Sequence, residues 1–356
     1  MMKKSLVFLE KLMNLPSPSG YEDQVRTVWY KELKKNADKI SVDIHGNAIA
    51  VVNEKQKLKV MLTGHMDELG FQVSYVDDKG FIYFGSLGGF DIGIVAGRKV
   101  RIHTAKGMVL GVIGKKAIHL MEKAQRDKVS KQHELYIDIG AKNKKEVLKI
   151  IELGDPVTYD ANFEKLRNDN MVSRAFDNKI GAYIIAEVMK EIYKKKEKCK
   201  AALYSVATVQ EEVGIRGART ASYAINPQIG IALDVTHATD TPDTDAKKDG
   251  DVKLGAGVVI ARGPNINEKV FRMLKQIADK KKIKYQIEPS STITGTDANM
   301  IQVTKAGIAT GLVSIPCRYM HTNTEVVSEK DVDAAVRLLV EFCFAINAKM
   351  DFTPAF

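Results

Sequence analysis

Residues 59–70 read KVMLTGHMDELG. The apolar KVML at 59–62 reads as a buried strand, and His65 and Asp67 follow at once, in the loop expected at that strand's carboxyl end. Ligands of open α/β sheets bind along that edge, so the strand predicts both an α/β fold and the side of the sheet that carries the chemistry. Three more Val/Ile/Leu-rich segments repeat the arrangement: ALYSVATV at 202–209, IGIALDV at 229–235 and IATGLVSI at 308–315.

Helical patterns separate most of these strands. NKIGAYIIAEVMKEIYKK begins at 178, EKVFRMLKQIADKKK at 268 and SEKDVDAAVRLLVEFCFAINAK at 328, where Ser328 and Asp331 form an S-x-x-D capping signal. Alternating strands and helices imply layered α/β architecture. From about 70 to 164 the texture changes to short strand-like pieces, FQVSYV, FIYFG, KVRIHTA and GMVLGVIG, broken by DDKG, LGG, AGR and KG turns. This predicts a small β-domain, 70–164, inserted into a discontinuous catalytic domain made of 1–69 and 165–356. Within the insert, KNKKEVLKIIELG at 142–154 has helical spacing and DPVTYD returns to strand texture.

Composition narrows the function classes. The 356 residues are 45% hydrophobic, enough for a substantial core. The opening MMKKSLVFLEKLMNL is interrupted by Glu10 and Lys11 and reads as an amphipathic helix rather than a secretion signal. No stretch reaches the roughly 18 uninterrupted apolar residues of a membrane helix, and neither end carries a lipidation motif. Cys199, Cys317 and Cys343 lie far apart without a CxxC pair, which fits a reducing cytoplasm. The net charge of +10 is dispersed, and its densest cluster, YKKKEKCK at 193–200, follows a helical pattern and reads as a solvated helix end. No aromatic-rich RNP pattern, GXXG loop or arginine-rich tract indicates nucleic acid.

The strand ends carry the candidate chemistry. VATVQEEVG delivers Glu211 and Glu212, IALDVTHATDTPD delivers Asp234, and GLVSIPCRYMHT carries His321 a few residues beyond its strand. Asp177, in SRAFDNKIG, opens the following helix, where a carboxylate also serves as an ordinary N-cap. Each residue alone has a plain structural explanation: a satisfied core histidine, a solvated glutamate pair, a turn aspartate. Together, two imidazoles and several carboxylates make an oxygen- and nitrogen-rich set suited to zinc, cobalt or manganese, with more ligands than one zinc needs. A carboxylate shared by two ions roughly 3.5–4 Å apart would stabilise both an attacking hydroxide and a developing oxyanion. Adjacent Glu211 and Glu212 can divide ligation and proton transfer between them, and spacing leaves open which does which. GTDAN at 295–299 and the Gly255–Gly257 pair lack Walker spacing and read as tight turns near the active-site wall.

The motifs TGHMDELG, SRAFDNKIGAY, TVQEEVGIRGA, ALDVTHATDTPD, TGTDAN and YMHTNTEV, in this order, resemble the aminopeptidase family that forms tetrahedral (TET) particles, whose members are often labelled endoglucanases. The resemblance spans nearly the whole chain. It implies a central mixed sheet flanked by helices, the co-catalytic zinc exopeptidase fold, with an inserted β-barrel-like domain used in dimerisation. It implies two divalent ions per subunit, zinc or cobalt: His65, Asp177 and Asp234 would hold one, Asp177, Glu212 and His321 the other, with Asp177 as bridge. Glu211 would act as general base on a metal-bridging water, Asp67 would orient the His65 ring, and the Asp177–Asn178 peptide would be cis. The implied activity is release of N-terminal residues from short peptides by a cytoplasmic homo-oligomer, with a tetrahedral dodecamer as the assembly the resemblance implies. Carboxypeptidase or amide deacylase chemistry on the same scaffold is the nearest alternative, since the metals serve any carbonyl. Glycoside hydrolysis needs two carboxylates and normally neither histidine ligands nor transition metals, so His65 and His321 argue against it.

Overall fold

The computed structural model describes residues 3–354. Helices α1 (Lys3–Asn14) and α2 (Asp23–Leu33) precede strands β1 (Lys39–Val42), β2 (Ala48–Val52) and β3 (Lys59–His65). The amphipathic reading of the first segment holds: Leu9, Leu12 and Met13 of α1 are buried, while Met1 and Met2 lie outside the described residues. The barrel strands follow, β4 (Gly70–Val76), β5 (Ile82–Leu87), β6 (Lys99–Thr104), β7 (Gly107–Gly114), β8 (Tyr136–Asp138) and β9 (Pro156–Tyr159), with one-turn helices α3 (Lys123–Arg126) and α4 (Lys144–Val147) in their connections. After β10 (Glu164–Lys165) and β11 (Asn170–Ser173) come α5 (Phe176–Tyr193), β12 (Ala202–Thr208), α6 (Arg216–Ile225), β13 (Ile229–His237), α7 (Ala246–Asp249) and β14 (Val258–Arg262). The remainder is α8 (Glu268–Lys281), β15 (Tyr285–Pro289), α9 (Asp297–Gln302), β16 (Ala309–Cys317), β17 (Glu325–Ser328) and α10 (Glu329–Ala345).

Eight strands form a mixed sheet in the order β1-β2-β12-β3-β13-β16-β14-β15. Its centre, β12-β3-β13-β16, is parallel. Parallel strands are buried on both faces, which is why these segments are nearly continuous apolar runs. The chain places β12 on one side of β3 and β13 on the other, so the strand order reverses beside β3 and opens a crevice at the carboxyl ends. Helix α5 packs on β3, β13 and β12, with α10 against it.

The six strands β4-β5-β8-β7-β6-β9 close into an antiparallel barrel with its own core, including Phe71, Val100, Ile102, Ile113 and Val157. Closure leaves no unpaired sheet edge. Strands β10, β11 and β17 make a separate small sheet beside the crevice.

Two local expectations change. The helical spacing over 142–154 yields one helical turn, Lys144–Val147, capped by Asn143, which accepts from the Glu146 amide; Val147 and Ile151 plug the barrel core and the chain turns at Gly154. Ser328 does stand at the N-terminus of α10, but makes no side-chain cap. Its expected partner Asp331 instead reaches across to accept from the Gly255 and Gly257 amides at 2.7 and 2.8 Å, both glycines having positive φ. No described helix is long and apolar enough to cross a membrane. All three cysteines are free and buried.

Candidate metal centre

Strand β3 runs further than its apolar run suggests, and this holds one of the candidate ligands more firmly than a loop would. The β12–β3 ladder continues to a Thr208–His65 pair, so His65 is the last residue of β3 rather than a loop residue. Asp234 sits inside β13, as the 229–235 run predicts, opposite Ser314. Asp67, Glu211, Glu212 and His321 stand on the loops beyond their strands.

Asp177 reaches the same place through an irregular helix start. A Cβ on Gly64 would lie 2.5 Å from the Gly181 carbonyl carbon, so only glycine there lets the first turn of α5 rest on β3. Ala175 is left-handed, Asp177 is non-helical at φ −79°, ψ 103°, and the Asp177–Asn178 peptide is cis, as the motif resemblance implies. The Asn178 side chain donates to the Leu233 carbonyl at 2.7 Å and accepts from the Gly181 amide at 2.9 Å. Asp177 is thus no ordinary N-cap; its carboxylate faces the crevice.

There the two Asp177 oxygens divide. Oδ1 lies 3.2 Å from His65 Nε2, and Oδ2 lies 3.3 Å from His321 Nε2. Around them, Asp234 Oδ1 is 3.9 Å from His65 Nε2, and Glu212 Oε2 is 3.9 Å from His321 Nε2. Two three-residue groups result, His65–Asp177–Asp234 and Asp177–Glu212–His321, each with its ligand atoms within 4.8 Å of one another and with Asp177 common to both. Glu211 Oε2 stands 3.8 Å from His65 Nε2.

Asp67 organises this set from behind. Its carboxylate is 3.3 Å from His65 Nδ1 and accepts from Ser19 Oγ at 2.6 Å and from the Glu211 and Glu212 amides at 3.1 and 3.2 Å. His65 Nδ1 also hydrogen-bonds the Asp67 backbone carbonyl at 3.1 Å, so one buried residue holds both the His65 ring and the loop bearing the two glutamates.

Carboxylates crowd this site, with two imidazoles among them. Burial, reinforced by Asp234, Asp297 and Asp67, pushes the Glu211 carboxyl up to about 9. Burial and the neighbouring carboxylates likewise hold Glu212 and Asp234 well above the usual range. Although burial opposes it, hydrogen bonds to Asp177 and Asp67 raise the His65 pKa, and against burial both histidines draw the Asp177 carboxyl down. Glu212 Oε1 is buried with no hydrogen-bond partner. An orphaned carboxylate oxygen within a crowd of like charges is what a divalent cation satisfies, and the His/Asp/Glu donor set suits one.

Sequence reading missed several supporting residues. Glu325, buried four residues after His321, accepts from the Asp177 amide at 2.9 Å and the His321 amide at 3.0 Å, tying the backbones of two candidate ligands together. Behind Asp67, buried Glu68 pairs with Lys179 Nζ at 2.7 Å and Arg174 Nε at 3.4 Å. Nothing local marks these groups as partners; Lys179 is fully buried in the first turns of α5. The GTDAN turn does reach the wall: Gly295 and Thr296 line a pocket of about 300 Å³ over the candidate ligands, with Ile215, Val235 and Met320.

Comparison with known proteins places this geometry. The M42 glutamyl aminopeptidase family model matches residues 46–338. A lysyl aminopeptidase of Pyrococcus furiosus is 35% identical over 97% of this chain and 98% of its own. Among solved structures, a TET aminopeptidase from a marine sediment Thaumarchaeota archaeon superposes with a TM-score of 0.93 at 29% identity, covering 97% of each chain. The Pyrococcus horikoshii TET1 peptidase, which can assemble into a tetrahedron or a large octahedral shell, gives a TM-score of 0.85 at 30% identity over 96% of this chain and 100% of that one. Fold, strand-end residues and whole-length similarity agree: the chain belongs to the M42 family of metal-dependent aminopeptidases.

Proposed function

We propose that the chain removes N-terminal residues from short peptides using two divalent ions, zinc or cobalt, with Asp177 shared between them. The division of the Asp177 oxygens between His65 and His321 carries this reading. His65 and Asp234 complete one ligand set, Glu212 and His321 the other. Ions held by these residues would supply Lewis acidity to the scissile carbonyl and a lowered pKa for water. Glu211, whose carboxylate borders the first group without belonging to either, takes a proton from the attacking water and returns it to the leaving amine. Asp67 keeps the His65 ring and the Glu211 backbone in register.

The acidic rim suits a free α-amine. A carboxypeptidase would instead need a cation for the terminal carboxylate, and the residues lining the pocket include no Lys or Arg. We divide the chain into a catalytic domain, 1–69 and 165–356, and an inserted domain, 70–164, whose outer face makes contacts between subunits of a homo-oligomer, a tetrahedral dodecamer. Exposed Met108, Leu110 and Val112 on β7 support that role for the insert.

The test is a panel of amino-acyl chromogenic substrates with free and blocked amines, plus a soluble cellulose derivative. Free-amine substrates should be cleaved, blocked ones not, and a chelator should abolish turnover until zinc or cobalt is added. Chelator-resistant cleavage, or cleavage of blocked amines or cellulose alone, would refute the reading.

A further inference from the structure

The two candidate histidines are oriented by different parts of the molecule. His65 is almost fully buried, and its Nδ1 faces the Asp67 carboxylate at 3.3 Å, two residues past the end of β3. His321 is 43% exposed in its side chain, sits in the left-handed region at φ 62°, and has no comparable carboxylate behind its ring. What stands there is the barrel. The stretch SLGGF at 86–90 leaves β5 toward the crevice, and Gly89 lines the pocket. A Cβ on Gly89 would lie 4.0 Å from His321 Nδ1, so the backbone of the turn stands against the imidazole. Gly88, at φ +87°, packs so closely that a Cβ would lie 3.3 Å from Glu212 Cβ and collide with Leu69.

The turn is anchored from the barrel side. Phe90 stacks on Phe71 with ring centroids 4.5 Å apart and meets Tyr159 edge-on at 5.8 Å, so the glycines are fixed to the barrel core. We infer that the Gly88–Gly89 turn is a positioning element for Glu212 and His321, so that the Asp177–Glu212–His321 half of the centre is complete only with the barrel in place. The inserted domain is then part of the active site as well as a surface for assembly. Groups that orient a metal-ligating histidine from behind typically change metal affinity about 10- to 100-fold when altered.

This rests on the two-ion reading, and titration of metal-free protein with zinc separates the two. Wild type should bind two ions per subunit; if it binds none, the metal reading fails and this inference with it. Gly88→Ala, strained by its positive φ, should weaken one of the two ions about 10- to 100-fold and leave the other unchanged. Gly89→Val, which needs no unusual backbone, should do the same by pressing on the His321 ring. Gly107→Ala is the control: it is a barrel glycine at φ +120° with nothing within 4 Å of an added Cβ, and it should bind both ions as wild type does. Unchanged binding in both Gly88→Ala and Gly89→Val would overturn the inference. Equal loss in Gly107→Ala would overturn it too, by tracing the effect to barrel stability rather than to this turn.

Discussion

The chain builds two β-structures on opposite principles. In the central sheet, β12 is buried at every residue and β13 at every residue but the last, and the charged side chains of these strands and the loops after them gather toward the carboxyl ends, where every candidate ligand or base except Asp177 is carried. In the barrel, strands alternate: on β7, Met108, Leu110 and Val112 face out while Gly111 and Ile113 face in. The sheet's faces are consumed by packing, so only its edge is free for chemistry. The barrel leaves the outward side of β7 exposed and free for other surfaces, while β9 is buried on both faces, and one of the barrel's turns reaches the sheet's edge.

That contrast can be broken by substitution. The largest effect is expected at the edge: Glu211→Gln should lower kcat by about a thousandfold while melting temperature and metal content stay at wild-type values. Loss of metal in this variant, measured by elemental analysis, would reassign Glu211 as a ligand. Next come the two kinds of wall. Leu62→Ala, within doubly covered β3, should cost about 2–5 kcal/mol in denaturant unfolding. Leu110→Ala, on the outward side of β7, removes little packing within the subunit and should stay within about 0.5 kcal/mol when dissociated subunits are unfolded. Equal costs would mean that the barrel's outer wall is packed within the subunit.

The smallest effect separates the regions by pH. His103, in β6, bonds Thr158 at 2.8 Å, and burial drives its pKa from 6.5 down to about 4. A depressed histidine stabilises the fold fully above its unfolded pKa and loses that contribution as pH falls through the native one. Melting temperature should therefore drop between pH 6.5 and 4 more steeply in wild type than in His103→Gln. Parallel curves would show that the imidazole does not resist protonation.

Much of the site was legible because its residues sit at strand ends with local signatures: apolar runs terminate at His65, Glu211, Glu212, Asp234 and His321, and periodicity marks the change of texture from sheet to barrel. Less visible was where each strand stops. KVML gives no hint that the ladder extends to His65, because pairing with Thr208 comes from another segment. The Ser328–Asp331 signal misled for the same reason: a cap is a local preference, and two distant amides at Gly255 and Gly257 outbid it.

By itself the sequence determined the layered α/β fold, the presence of a β-rich insert and the residue types gathered at one edge, since periodicity and composition are properties of neighbours along the chain. Only the tertiary structure decided that one Asp177 oxygen faces each histidine, that Glu325 and Asp67 hold the ligand-bearing loops, and that the barrel's glycine turn stands behind His321. These are contacts between residues tens to hundreds of positions apart. Close packing and the need to satisfy buried polar groups settle them, and no local pattern records either.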